Sequence, residues 1–142
     1  MNRVASYLRV ARPDHWFKNV FMLPGVALAA IFLGDWSLFF SSATICALVS
    51  LCLLASANYT INEWLDASFD RFHPVKKDRP SVTGDVKGSL IVVQYISLAC
   101  AGLLLAWNLS PAYTLFSVLF LLMGLAYNVP PIRLKDRVYL DV

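Results

Sequence analysis

Asn62, Asp66 and Asp70 stand at intervals of four residues, and each step of four advances only about 40° around an α-helix, so the three side chains share one face. Successive positions rise about 6 Å. Two carboxylates so placed can meet around one or two Mg²⁺ ions that take their remaining ligands from water and phosphate oxygens. Glu63 lies about 100° from Asn62 and can reach the same place through water, and Asn58 extends the polar row by one turn. Directly afterwards comes Arg71-Phe72-His73-Pro74-Val75-Lys76-Lys77-Asp78-Arg79-Pro80. Carboxylates that hold cations beside a cluster that holds anions suit a metal–phosphate site, with Arg71, Lys76, Lys77 and Arg79 toward phosphate and His73 as a further candidate. A second reading stays open on the same residues: a solvated helix end leaving a membrane, followed by a loop that is basic for reasons of topology. Negative charge at a helix C-terminus opposes the macrodipole and needs compensation. Polar side chains at membrane depth, as at Asn58 and Asn62, face a protein interior or a wet cavity.

The elements that must position these residues are apolar. The 142 residues are 58% hydrophobic and 15% charged, with a mean hydropathy of +0.62, well beyond an ordinary soluble domain. No Asp, Glu, Lys or Arg occurs between Asn19 and Gly34, between Trp36 and Asn62, or from Gly88 to Ile132. About 20 such residues cross a bilayer core, and the last run is broken at Asn108, Ser110 and Pro111. The expectation is an all-α integral membrane protein with four spans, near 17–34, 37–62, 88–107 and 112–129, and a loop near 66–87.

Every cation lies before the first span, between the second and third, or after the fourth, while the other two connections carry only Asp35. The positive-inside rule then places the N-terminus, the middle loop and the segment after the fourth span in the cytosol. The expected partner of such a surface is membrane lipid, and no nucleic acid is expected. Cys46, Cys52 and Cys100 fall within the spans and read as small hydrophobes.

Before the first span, Val4, Tyr7, Leu8 and Ala11 recur at helical spacing opposite Arg3, Arg9 and Arg12, which predicts a short helix on the inner membrane surface. Trp16 and Trp36 bracket the first crossing like two interfacial belts, and Pro24 is expected to kink it. Val138, Tyr139 and Leu140 read as the start of a further element, so the sequence reads as cut rather than finished.

With these residues in place the sequence resembles the UbiA superfamily of intramembrane prenyltransferases. The family's first acidic motif, Asn-Asp-x-x-Asp-x-x-x-Asp, stands here as Asn62-Glu63-Trp64-Leu65-Asp66-Ala67-Ser68-Phe69-Asp70, with Glu63 replacing the first Asp. Arg12-Pro13 with Trp16, Lys18 and Asn19, and the run Asp70-Arg71, His73-Pro74, Lys76, Arg79-Pro80 and Gly84, point to a branch that resembles polyprenyl-phosphate phosphoribosyltransferases. Tyr127-Asn128, Pro130-Pro131 and Arg133-Leu134-Lys135 resemble the family's tyrosine and lysine motif.

The resemblance implies the first part of a nine-helix bundle and Mg²⁺ held by Asn62, Asp66 and Asp70, with Asp66 and Asp70 catalytic. It also implies substrate phosphates met by Lys18, the loop cations, Tyr127, Arg133 and Lys135. The implied partners are polyprenyl phosphate or diphosphate and a small phosphorylated or aromatic co-substrate, in a bacterial or archaeal cell membrane. Phosphoribosyl transfer is the leading expectation and aromatic prenylation the alternative. A lipid-binding membrane protein without catalysis is a third. Because the family has a second acidic motif in its later half, residues 1–142 alone are not expected to turn over.

Overall fold

The structure is a computed structural model that describes residues 3–137; Val138, Tyr139 and Leu140, read above as the start of an element, lie outside the described residues. Every regular element among the described residues is helical. The α-helices are α1 (Arg3–Ala11), α2 (Leu23–Leu33), α3 (Ser42–Asp70), α4 (Pro80–Thr83), α5 (Gly88–Trp107) and α6 (Pro111–Asn128). Four helical stretches are long and apolar enough to cross a membrane: Arg3–Leu33, Ser42–Asp70, Gly88–Trp107 and Pro111–Asn128. The chain is an all-α integral membrane protein.

The first stretch is less regular than its sequence suggests. Pro13 excludes the preceding residue from the right-handed helical region, and Arg12 takes up a left-handed conformation at φ 52° and ψ 54° that ends α1. The chain then winds as a 3₁₀-helix over Pro13–Met22 and becomes α-helical at Leu23. Pro24 therefore sits in the first turn of α2, where its missing N–H costs nothing, instead of kinking the middle of a span. Trp16, still 37% exposed, donates its indole N–H to Ser56 Oγ at 2.8 Å. The expected belt residue also makes a bundle contact.

The N-terminal helix docks on the bundle through only part of the row read from its pattern, Tyr7 and Ala11. Ser6, Val10 and Ala11 are buried while Val4 and Leu8 are exposed. Val10 packs with Val86 and Ile91 against Tyr7 and Trp64, and Tyr7 ties α1 to α5 by accepting from Lys87 N at 2.9 Å and from Gln94 Nε2 at 2.9 Å.

Helix α3 starts later and runs further than the 37–62 span expected. Asp35 caps a short 3₁₀ turn over Trp36–Leu38 by accepting from Ser37 N, and the bonds from Ser37 hold the Asp35 carboxyl below its ordinary range. Ser41 then caps α3 itself by accepting from Thr44 N. The helix continues unbroken through all the acidic residues to Asp70, so residues 66–70, expected in the loop, are its last turn.

Along its length α3 packs mainly on α5 and then on α6. The seam uses small residues, with Leu54, Ala57 and Ala99 buried beside Leu121 and Ser50 Oγ donating to Gly102 O at 2.8 Å. At one end of the bundle Tyr113 Oη donates to Ala47 O at 2.7 Å, next to both cation-free connections. The cationic segments gather at the other end, around the C-terminus of α3.

Candidate functional site

Taking Tyr59 as zero and about 100° per residue, Asn62 lies near −60°, Asp66 near −20°, Asp70 near +20° and Glu63 near +40°. The cytosol-facing end expected for α3 thus carries one acidic stripe with two edges, and each edge has its own pair of cations.

At the Asn62 edge, Lys135 Nζ is surrounded by three side-chain oxygens: Asp66 Oδ1 at 2.5 Å, Asn128 Oδ1 at 3.0 Å and Asn62 Oδ1 at 3.1 Å. Arg133 Nη2 adds a second ion pair to Asp66 Oδ1 at 3.2 Å while its guanidinium lies 4.7 Å over the Phe69 ring. Asn128 is buried, and its amide nitrogen is spent on Gly124 O at 2.9 Å, which leaves the oxygen to face the ammonium. The segment after α6 brings these cations back over α3, with Arg133 at φ 32° in the left-handed region.

At the other edge, Asp70 is buried and paired with Arg79 Nη1 at 2.6 Å and with Lys76 Nζ at 3.7 Å. Glu63 is buried too and accepts from Ser81 Oγ at 3.1 Å. Positions 63 and 70 are seven apart, which returns a helix to within about 20° of its starting direction. For that reason Glu63 sides with Asp70 against α4 and points away from Asn62. The compensation that the helix dipole demands at this terminus is supplied by Lys76, Arg79, Arg133 and Lys135 together.

Of the remaining candidates, Lys18, Arg71, His73 and Lys77 are exposed, and His73 Nδ1 accepts from Val75 N and Lys76 N as a local turn. Tyr127 and Asn58 line a groove of about 560 Å³ between α3 and α6, with Phe120 and Met123 on its apolar side and Asn19, Asn62 and Asn128 at its polar side. Asn58 donates Nδ2 to Phe120 O at 3.3 Å. Among the described residues no three His, Cys, Asp or Glu side chains converge as a ready metal cluster, because the acids are spread along the stripe with cations between them.

Spacing along the chain does not mark Asn128 as a ligand, nor Arg12 and His15 as a pair. Arg12 lies 5.5 Å over the Tyr59 ring and hydrogen-bonds His15 Nε2 through Nη2 at 2.8 Å, an arrangement that needs the lone pair of that ring nitrogen. The one local signal is the dipeptide Arg12-Pro13, since the proline bars Arg12 from continuing α1; the left-handed backbone at Arg12 is not legible from it.

A family model described as the UbiA prenyltransferase family matches residues 19–142. The chain belongs to that family. Among curated relatives it is 37% identical over 128 residues to decaprenyl-phosphate phosphoribosyltransferase of Mycobacterium tuberculosis, covering 89% of this chain and 42% of the relative. The enzyme of the same name from Mycolicibacterium smegmatis is 32% identical over 144 residues, 99% of this chain and 44% of the relative. Nodulation protein NoeC of Azorhizobium caulinodans is 26% identical over 122 residues, 81% of this chain and 38% of the relative. The chain therefore spans less than half the length of these relatives.

Proposed function

We propose that the complete protein is an Mg²⁺-dependent transferase that moves the 5-phosphoribosyl group of phosphoribosyl diphosphate to a polyprenyl phosphate at the cytosolic face of a bacterial or archaeal cell membrane. The observation that carries this reading is the convergence of Asn62, Asp66 and Asn128 oxygens on one cationic centre. Hard oxygens of this kind, one of them charged, suit a divalent ion that keeps waters and takes phosphate oxygens. The Lys135 ammonium stands where such an ion would be welcome. Asn62 and Asp66 would hold the ion, with Asp70 next along the stripe, and the ion would neutralise charge building on a diphosphate leaving group. The relatives named decaprenyl-phosphate phosphoribosyltransferase support the choice of donor and acceptor.

The chain's own residues then divide the work. Arg133 and Lys135, paired with Asp66 in this arrangement, would be the side chains to meet phosphate oxygens were Asp66 to hold the ion. Arg79 and Lys76 hold the Asp70 carboxylate in place. The groove with Phe120 and Met123 accepts the lipid chain and presents its phosphate near Asn62. The C1–O bond to diphosphate breaks with its electron pair leaving on pyrophosphate, and an acceptor phosphate oxygen forms the new bond to C1. The acceptor is already ionised, so no general base is required.

Membranes containing the complete enzyme are expected to transfer label from phosphoribosyl diphosphate to polyprenyl phosphate, to lose that activity on chelation, and to regain it with Mg²⁺. Efficient prenylation of a hydroxybenzoate with no ribosyl transfer would replace this reading by the aromatic one. The orientation has its own check. Cysteine placed at position 77 or 135 of the complete protein is expected to label only from the cytosolic side, and at 35 or 109 only from outside. Labelling of position 77 from outside would invert the topology.

A further inference from the structure

Beyond the Glu63 edge of the stripe lies a pocket of about 450 Å³ that shares only Arg79 with the foregoing chemistry; its lining includes Arg9, Arg12, Asp14, Glu63, Arg79 and Pro80. We propose that this pocket binds a phosphate monoester and that, on the reading of the donor given above, it seats the 5-phosphate of phosphoribosyl diphosphate while the diphosphate lies on the acidic stripe.

The guanidiniums come first. Arg9, Arg12 and Arg79 line the pocket beside the carboxylates of Asp14 and Glu63. Arg79 is also paired with Asp70, and Asp14 is turned largely to water, its side chain 70% exposed. Planar guanidinium forks match phosphate oxygens in pairs.

Arg12 is also held in place for the purpose. Its guanidinium is stacked over Tyr59 at 5.5 Å and pinned to His15 Nε2 at 2.8 Å, contacts that fix its position through one face and one nitrogen. Its backbone sits at φ 52°, a region that a side-chain-bearing residue occupies only when its surroundings enforce it, and such residues cluster at ligand sites.

Position completes the case. Glu63 of the stripe lines this pocket, and Arg79 both lines it and pairs with Asp70 at 2.6 Å, so the pocket adjoins the stripe directly. A donor with anions at both ends of a sugar can span the two, whereas a prenyl diphosphate has one anionic end and would leave the pocket empty. The loop cations Arg71 and Lys77, the other candidates for a second phosphate, are exposed and take no part in either cluster.

The test is calorimetric titration of the purified complete protein with ribose 5-phosphate and, separately, with inorganic pyrophosphate plus Mg²⁺. Arg12→Gln and Arg9→Gln are expected to weaken ribose 5-phosphate at least tenfold and pyrophosphate less than threefold, with Asp66→Asn giving the reverse pattern. Arg12→Gly guards against misfolding, since glycine accepts φ 52° without strain. It should keep the thermal midpoint while losing ribose 5-phosphate to the same degree. Equal loss of both ligands would place Arg12 in the diphosphate cradle and overturn the separate site, as would unchanged ribose 5-phosphate affinity in all three arginine variants. Should wild type ignore ribose 5-phosphate yet bind anionic-lipid nanodiscs in an Arg12-dependent way, the pocket takes a lipid phosphate and the donor assignment falls. These titrations need no turnover, so failure of the transfer assay alone would leave their outcome standing.

Discussion

Asp66→Asn in the complete protein is expected to lower kcat by about 10³-fold or more, on the scale of removing a major electrostatic stabiliser of a transition state, while membrane insertion is retained. Asparagine keeps the shape and one oxygen, so the substitution removes charge and little else. What that charge does is legible from its partners. Asp66 Oδ1 receives both Lys135 Nζ and Arg133 Nη2, and those two side chains are only 12% and 15% exposed. Removing their shared counter-ion also destabilises the resting fold, by about 1–3 kcal/mol once partial exposure is allowed for. A purely structural role for Asp66 predicts the same stability loss, so the two roles must be separated. Lys135→Met in the Asp66→Asn background removes the stranded ammonium. If Asp66 served only Lys135, the double variant would recover stability and bind Mg²⁺ as wild type does. If Asp66 holds Mg²⁺, stability recovers and Mg²⁺ binding does not. Turnover near wild type in Asp66→Asn itself would reduce the stripe to a solvated helix end.

Particular residues show what is legible in sequence and what is not. The four apolar stretches and the gathering of cations at one end are legible because charge is so costly in a bilayer that its placement is nearly binary. The acidic stripe is legible because a helix fixes angles from spacing alone. The partners of the stripe are not. Lys135 meets Asn62 across 73 residues of chain, and nothing in local spacing says which distant cation returns to which carboxylate. Glu63 shows the limit within one helix. Read with Asn62 by proximity in sequence, it belongs by angle with Asp70, and only the packing of Ser81 and Pro80 decides for the second. Part of the docking face of α1 escapes the pattern for a related reason. Val4 and Leu8 are apolar but exposed, whereas Ser6 is buried, and hydropathy cannot rank faces when lipid and protein interior are equally apolar.

The same blindness hides the seam on which the bundle depends, and Gly102→Leu is expected to expose it. A Cβ at Gly102 would lie 2.7 Å from Leu54 Cγ and Cδ2 and 3.2 Å from Ser50 O. The obstruction at Ser50 is backbone, which cannot turn aside, and Leu54 is 1% exposed with no space to swing into. The helices must separate, which strains the packing and breaks the bond from Ser50 Oγ to Gly102 O at 2.8 Å. Overpacking of this kind costs about 1–3 kcal/mol and the lost interhelical bond about 1 kcal/mol more. Gly25→Ala is the matched control, because a Cβ there meets nothing within 4 Å and alanine favours the helix. In detergent-solubilised complete protein, Gly102→Leu should melt several degrees below wild type and Gly25→Ala at or above it. Equal midpoints for the two would mean that α3 and α5 are not held by this contact. The effect should also reach the cytosolic end. α5 carries Ile91, which packs on Val10 of α1, and α1 leads directly into Arg12. A bundle prised apart at Gly102 is therefore expected to weaken ribose 5-phosphate more than pyrophosphate, although no atom of Gly102 belongs to either site.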